Sequence, residues 1–170
     1  MTALADLVRE IPDYPSPGIV FKDITPVLQS AQALADAVAA LGEPFVGRVD
    51  VVAAIEARGF ILGAPVAVAL GAGFVPLRKA GKLPFDTLSE GYTLEYGTSE
   101  LEVHVDALER GRRVLVVDDV LATGGTAAAA AQLVRRTGAD LVGIAVLLEI
   151  AALRGRRQLE GVDVHALLAG

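Results

Sequence analysis

The sequence contains no cysteine, so it offers neither a disulfide framework nor a thiolate metal site. No apolar run reaches the ~18 residues that a membrane-crossing helix needs, and no membrane partner is expected. The opening MTALADLVREIPDYP carries acids early and lacks a basic start followed by an apolar core, so no signal peptide is expected. Lysine and arginine number 15 against 21 aspartates and glutamates, for a formal net charge of -6. A general nucleic-acid binder needs the opposite excess to neutralise phosphates, so nucleic acid is not expected as a partner either. Repeats, low-complexity tracts and linkers are also missing. What the chain does have is apolar residues, 53% of 170. That excludes a disordered chain and is enough for a proper core. One cytoplasmic domain over residues 1–170 is the expectation.

Strand and helix patterns alternate after a proline-rich start. TALADLVRE reads as a short amphipathic helix ended by Pro12, and residues 12–28 as an ordered loop around a short extended piece. SAQALADAVAALG predicts a helix capped by Ser30 and stopped at Gly42. Val49–Ile55 reads as a buried strand, then ARGFILGAPVAVALG as a turn into a helix with Pro65 near its first turn. Phe74–Leu77 reads as a second strand. Residues 80–100 combine weak periodicity with several breakers and predict a long mobile segment or an irregular hairpin. LEVHVDAL alternates as a strand, with Leu101, Val103 and Val105 on one face. RVLVV is the central strand, TAAAAAQLVRRTGA a helix ending at Gly138, and LVGIAVLLE and VDVHALL are further strands. Near-continuous Val/Leu/Ile strands alternating with helices predict an α/β fold, its mainly parallel sheet covered on both faces.

The chemistry concentrates after the central strand, in RVLVVDDVLATGGT. Neighbouring strand residues point to opposite faces, so one of Asp118 and Asp119 should face inward, where a lone carboxylate is costly. Ligands of open parallel sheets sit beyond the carboxyl ends of the strands. Immediately after the acids, Ala122–Thr126 lead straight into a helix. Gly124 and Gly125 let backbone approach a ligand, amides at a helix N-terminus point at an anion, and Thr123 and Thr126 add hydroxyls. The loop has no P-loop lysine and lacks the GxGxxG spacing of a dinucleotide fold. Two acids before a phosphate cradle suit a phosphorylated sugar: amides take the phosphate, and carboxylates accept from ribose hydroxyls.

VLVVDDVLATGGT resembles the phosphoribosyl pyrophosphate motif of type I phosphoribosyltransferases. Tyr14–Leu28, Glu56–Phe60, Arg78–Pro84 and Leu94–His104 together resemble the adenine phosphoribosyltransferase family, over essentially the whole chain. The resemblance implies the type I phosphoribosyltransferase fold, with a mobile lid at about 80–100 and a base-recognition loop at about 12–28. It also implies a homodimer that converts adenine and phosphoribosyl pyrophosphate, with Mg2+, to AMP and pyrophosphate. It assigns Ala122, Thr123, Gly124, Gly125 and Thr126 to the 5′-phosphate, and Asp118 and Asp119 to the ribose side. Magnesium would be held mainly through substrate and water, with Asp118 or Asp119 as a possible direct ligand. Arg58, Gly59, Lys79 and Lys82 fall at pyrophosphate positions. Phe21 matches the aromatic that stacks on adenine, with Val20 and Lys22 reading the base edge through their backbone and Ile150 closing the far side. Lys22 stands where arginine is common in the family; a backbone contact survives that change. Glu95 matches the catalytic acid and Tyr96 a lid tyrosine. A hypoxanthine, guanine or xanthine phosphoribosyltransferase is the rival enzyme. A non-catalytic phosphoribosyl pyrophosphate-sensing regulator is the rival from another class.

Overall fold

A computed structural model describes residues 4–94 and 97–170. A seven-stranded sheet runs in the order β5-β6-β4-β3-β7-β8-β9. Its strands are β3 (Val51–Ile55), β4 (Gly73–Lys79), β5 (Thr87–Leu94), β6 (Gly97–His104), β7 (Arg113–Leu121), β8 (Asp140–Glu149) and β9 (Val164–Ala169). The run from β4 to β9 is parallel, and β6 and β5 add an antiparallel edge. A separate ribbon pairs β1 (Arg9–Pro12) with β2 (Val20–Asp23).

Alternation along the strands divides the core into two layers. Val114 and Val116 of β7, with Ile144 and Val146 of β8, pack with Ala130 and Leu133 of α4 (Gly125–Thr137). Leu115, Val117, Ala145 and Leu147 face the other way, toward α2 (Ala31–Gly42) and α3 (Arg58–Leu70). The short α1 (Thr25–Gln29) joins that second layer through Val27. β7 and β8 are therefore apolar on both faces, which is why each reads as a near-unbroken Val/Leu/Ile run. The Ser30 hydroxyl caps α2 by accepting from the Ala33 N–H at 3.2 Å.

Several expectations change. The opening helix is a single 3₁₀ turn at Leu4–Leu7, because Arg9–Pro12 leave it to pair with β2. Residues 12–28 hold β2 and most of α1 as well as loop. Pro65 lies in the interior of α3, as its eighth residue, rather than near its first turn. Residues 80–100, expected to form a long mobile segment or an irregular hairpin, hold β5 and the start of β6; the two strands pair in a regular ladder of eight pairs from Thr87↔His104 to Leu94↔Gly97. Val105 lies beyond β6 and is exposed, whereas Leu101 and Val103 are buried. The central strand does not stop before the acids: β7 continues through Asp118 and Asp119 to Leu121, held by β8. No described helix is long and apolar enough to cross a membrane.

Candidate active site

The carboxyl ends of β3, β4, β7 and β8 open onto a cleft of about 710 Å³. β3 ends at Ile55 and gives Glu56, Ala57 and Arg58 in the turn into α3. β7 gives Asp118, Asp119 and Val120, and the loop after it gives Ala122, Thr123 and, from α4, Thr126. Lys79 arrives from the end of β4, Ile150 and Leu153 from beyond β8, and Val20, Phe21 and Lys22 from β2. The sheet thus gathers segments far apart in sequence at the end where parallel strands present their ligand sites.

On the β3 side, β7 pairs only as far as Val117. Asp118 and Asp119 stand just past that point, so one flank of the strand is free for the cleft. Asp119 is buried and ion-paired to Arg58 Nε. That pairing offsets the desolvation a lone carboxylate would suffer, and removing either partner would leave an uncompensated charge. Only Nε of Arg58 is engaged with Asp119, and its guanidinium lies 5.5 Å from the Phe21 ring centroid. The Asp118 carboxyl accepts the Asp119 backbone N–H at 2.8 Å. Burial, and then the Asp119 carboxylate beside it, push Asp118 well above the usual carboxylate range.

The loop from Ala122 to Gly124 bends into α4, and Gly124 at φ +89 is the residue just before that helix. The left-handed turn there favours glycine. The first amides of α4 have no intrahelical acceptor and face outward, and its first turn carries no acid. The end is thus electropositive and suited to a phosphate.

Phe21 packs edge-on to Tyr14, with centroids 5.3 Å apart. β2 has only β1 beside it, and Pro12, opposite Val20, has no N–H to give. The Val20 carbonyl is therefore left unclaimed by the ribbon.

Eleven of the residues expected at the site line this cleft: Val20, Phe21, Lys22, Arg58, Lys79, Asp118, Asp119, Ala122, Thr123, Thr126 and Ile150. Gly59, Lys82, Gly124 and Gly125 do not. A Cβ on Gly59 would lie 2.9 Å from Asp118 Oδ1 and 3.0 Å from the Val117 carbonyl, so this glycine lets α3 begin directly against β7. Lys82 is exposed, and its carbonyl accepts from Arg78 Nη1 at 3.2 Å, while Arg78 Nε also pairs with Glu56 at 2.7 Å. Gly124 backs onto Gly155, and Gly125 is buried at the start of α4. Glu95 and Tyr96 lie outside the described residues. The sequence reading missed nine lining residues, among them Glu56, Tyr92, Leu101 and Leu153. Glu56 stands at the start of a quoted segment, whereas Leu153 sits in a 3₁₀ turn without any local signal.

The phosphoribosyl transferase domain family matches residues 21–165. An adenine phosphoribosyltransferase from Thermobifida fusca (strain YX) is 60% identical over 167 residues, covering 98% of this chain and 95% of the relative. The crystal structure of adenine phosphoribosyltransferase from Thermoanaerobacter pseudethanolicus ATCC 33223 has TM-score 0.95 at 50% identity, covering 98% of each chain. The Saccharomyces cerevisiae adenine phosphoribosyltransferase, solved with D-2,5-dideoxy-2,5-imino-altritol 1,6-bisphosphate and adenine, has TM-score 0.92 at 38% identity. That match covers 97% of this chain and 96% of the yeast one.

Proposed function

Because the chain belongs to the phosphoribosyl transferase family, and within it to the adenine phosphoribosyltransferases, we infer that it transfers the 5-phosphoribosyl group of phosphoribosyl pyrophosphate to adenine. The products are AMP and pyrophosphate, a purine-salvage reaction. The observation that carries this reading is the meeting, in one cleft, of an aromatic on a free strand edge, an acid pair and a helix-opening phosphate loop.

In the reaction, adenine N9 attacks the anomeric carbon as the bond to pyrophosphate breaks, through an oxocarbenium-like transition state of the kind seen in glycosyl transfer. The work of the protein is mostly positional and electrostatic. Ala122–Thr126 hold the 5′-phosphate through amides and the Thr123 and Thr126 hydroxyls, and Asp118 and Asp119 accept from the ribose hydroxyls. Arg58 turns its terminal guanidinium nitrogens toward the pyrophosphate, joined by Lys79 and Lys82. Phe21 stacks on adenine with Ile150 opposite. The Val20 carbonyl accepts from the 6-amino group, and the Lys22 backbone completes the readout. Glu95, carried between β5 and β6, binds the N7 side of the purine and manages its proton. Tyr96 and the β5–β6 hairpin close over the site and exclude water.

Magnesium prefers hard oxygen ligands and is held by one or two carboxylates together with substrate phosphates. Asp118 and Asp119 offer such carboxylates in the cleft. Among the described residues no cluster of three or more histidines or acids forms a separate metal site. The acid pair would suit an ion that arrives with the diphosphate, where the ion would supply positive charge against the leaving group. A second copy of the chain suits the outer face of α3, where Ile61 and Val68, seven residues apart, are exposed. An activated, multiply charged sugar phosphate does not cross membranes unaided, so the same reading puts the reaction in the cytoplasm.

The test is product formation from adenine, phosphoribosyl pyrophosphate and magnesium. AMP and pyrophosphate should appear in equal amounts, and a protein that makes neither is not this enzyme. Glu95→Ala should lower kcat by about 10²–10⁴-fold, the usual worth of a general acid or base. A fall under about tenfold, well below that range, would leave Glu95 as a lid residue only.

A further inference from the structure

Between β8 and β9 run two 3₁₀ turns, Ala151–Leu153 and Gly155–Gln158. Ile150 and Leu153 face the cleft; the second turn lines none of it. It is instead pressed against the back of the phosphate loop. Gly155 is buried. A Cβ there would fall inside the radius of the Ala122 carbonyl oxygen and lie 3.1 Å from the Gly124 nitrogen. In the opposite direction, a Cβ on Gly124 would lie 3.0 Å from the Gly155 carbonyl carbon and 3.1 Å from its Cα. The two glycines meet backbone to backbone, and neither has room for a side chain. Three residues on, Gln158 Nε2 donates to the Thr123 carbonyl at 3.0 Å.

The turn is itself anchored to the sheet. Arg156 Nε reaches both oxygens of the buried Glu149 carboxylate, at 2.8 and 2.9 Å, and its Nη1 donates to the Val164 carbonyl at 2.9 Å. The Ile150 N–H donates to the Leu121 carbonyl, the last residue of β7, at 2.9 Å. A rigid path therefore runs from β8 and β9, through Arg156, to the rear of the loop that opens α4.

We propose that Gly155–Gln158 is a positioning element for the phosphate loop: it holds the Ala122–Gly124 backbone in its concave shape, so phosphate affinity depends on a turn that touches no substrate. The proposal rests on the reading of that loop as the 5′-phosphate site. A three-residue bend containing a left-handed glycine has little of its own to fix it. Donors already held in place avoid the ordering cost on binding. Gly155 does not sit at positive φ, so alanine suits its backbone but not its surroundings. The loop must move to admit the methyl group, and the amides move with it.

The experiment titrates ribose 5-phosphate by calorimetry into the wild-type protein and into Thr126→Ala, Gly155→Ala and Gln158→Leu, with steady-state kinetics and Tm for each. Gly155→Ala should weaken ribose 5-phosphate binding by about tenfold or more, in keeping with the cost of overpacking. Gln158→Leu should weaken it by about three- to tenfold, the worth of one hydrogen bond. KM for phosphoribosyl pyrophosphate should rise in both, while KM for adenine stays at its wild-type value. If Gly155→Ala does not fold, Gln158→Leu decides, because that side chain is exposed. Wild-type affinity in the folded variants overturns the proposal, and so does a rise in both KM values together with a lower Tm. Failure of the wild-type protein itself to bind ribose 5-phosphate, with Thr126→Ala no different, overturns the reading of the loop instead.

Discussion

The two ends of β3 and β7 carry aspartates in opposite circumstances. At the amino end, Asp50 precedes β3 and meets Arg113, the first residue of β7. Its carboxylate takes the Arg113 backbone N–H at 2.9 Å, Nε at 3.1 Å and Nη2 at 2.6 Å. Arg113 Nη1 also donates to the Gly47 carbonyl at 2.9 Å. At the carboxyl end, Asp118 receives one backbone N–H and Asp119 one arginine nitrogen. The arginine side chain and backbone amide at Asp50 draw its carboxyl down to about 2, whereas burial and a like charge drive Asp118 up. One end saturates its acid; the other leaves its two acids sparsely partnered and facing the cleft. A carboxyl pushed up by burial and by a like charge in a cleft is a functional-site candidate; one drawn down by a closely held arginine is an ion-paired surface acid.

The largest effect should come from the carboxyl end. Asp118→Asn with Asp119→Asn should lower kcat/KM for phosphoribosyl pyrophosphate by about 10²–10⁴-fold, the worth of two hydrogen bonds to charged groups, while circular dichroism shows the fold intact. Wild-type kinetics in the double variant would erase the functional side of the comparison. Smaller and opposite in kind, Asp50→Asn should leave kcat/KM unchanged but lower Tm at neutral pH. The folded pKa of Asp50 lies below its unfolded value, so its contribution is complete above about 3.8 and is lost as pH falls toward about 2. The acid limb of the Tm profile should therefore be shallower in the variant. For Asp118 the sign reverses. Its folded pKa is raised, so the favourable term is complete below the unfolded value and disappears as pH climbs through the folded one. Asp118→Asn alone should therefore gain Tm relative to wild type as pH rises. A loss of Tm with rising pH would place Asp118 with the structural acids.

Much of the carboxyl end was legible in the sequence because strand, acids, glycines and helix follow one another without a gap, and each has its own local signature. The apolar period of β7 and β8 likewise appears directly in RVLVV and LVGIAVLLE. The length of β7 did not, since pairing with β8 carries it past polar residues that a hydropathy pattern reads as an end. The β5–β6 hairpin was obscured for a related reason. Thr87–Leu94 is polar and contains Gly91, and its order comes from cross-strand partners rather than from its own pattern. Pro65 was misplaced because α3 is held by packing against β3 and β7, which tolerates an interior proline. The Gly155 turn had no periodic signal at all. Its significance appears only when two glycines distant in sequence are found in contact.

The central claim is that this cleft reads a 6-amino purine through the backbone of β2. It is tested most directly by kcat/KM for adenine and for hypoxanthine, with phosphoribosyl pyrophosphate and magnesium held constant. Hypoxanthine would set its 6-oxygen against the Val20 carbonyl, and sites built around such hydrogen bonds discriminate by roughly 10⁴ or more. The account predicts a preference for adenine of that order, kept in Lys22→Ala because the readout is main-chain. Comparable values for the two bases would contradict it.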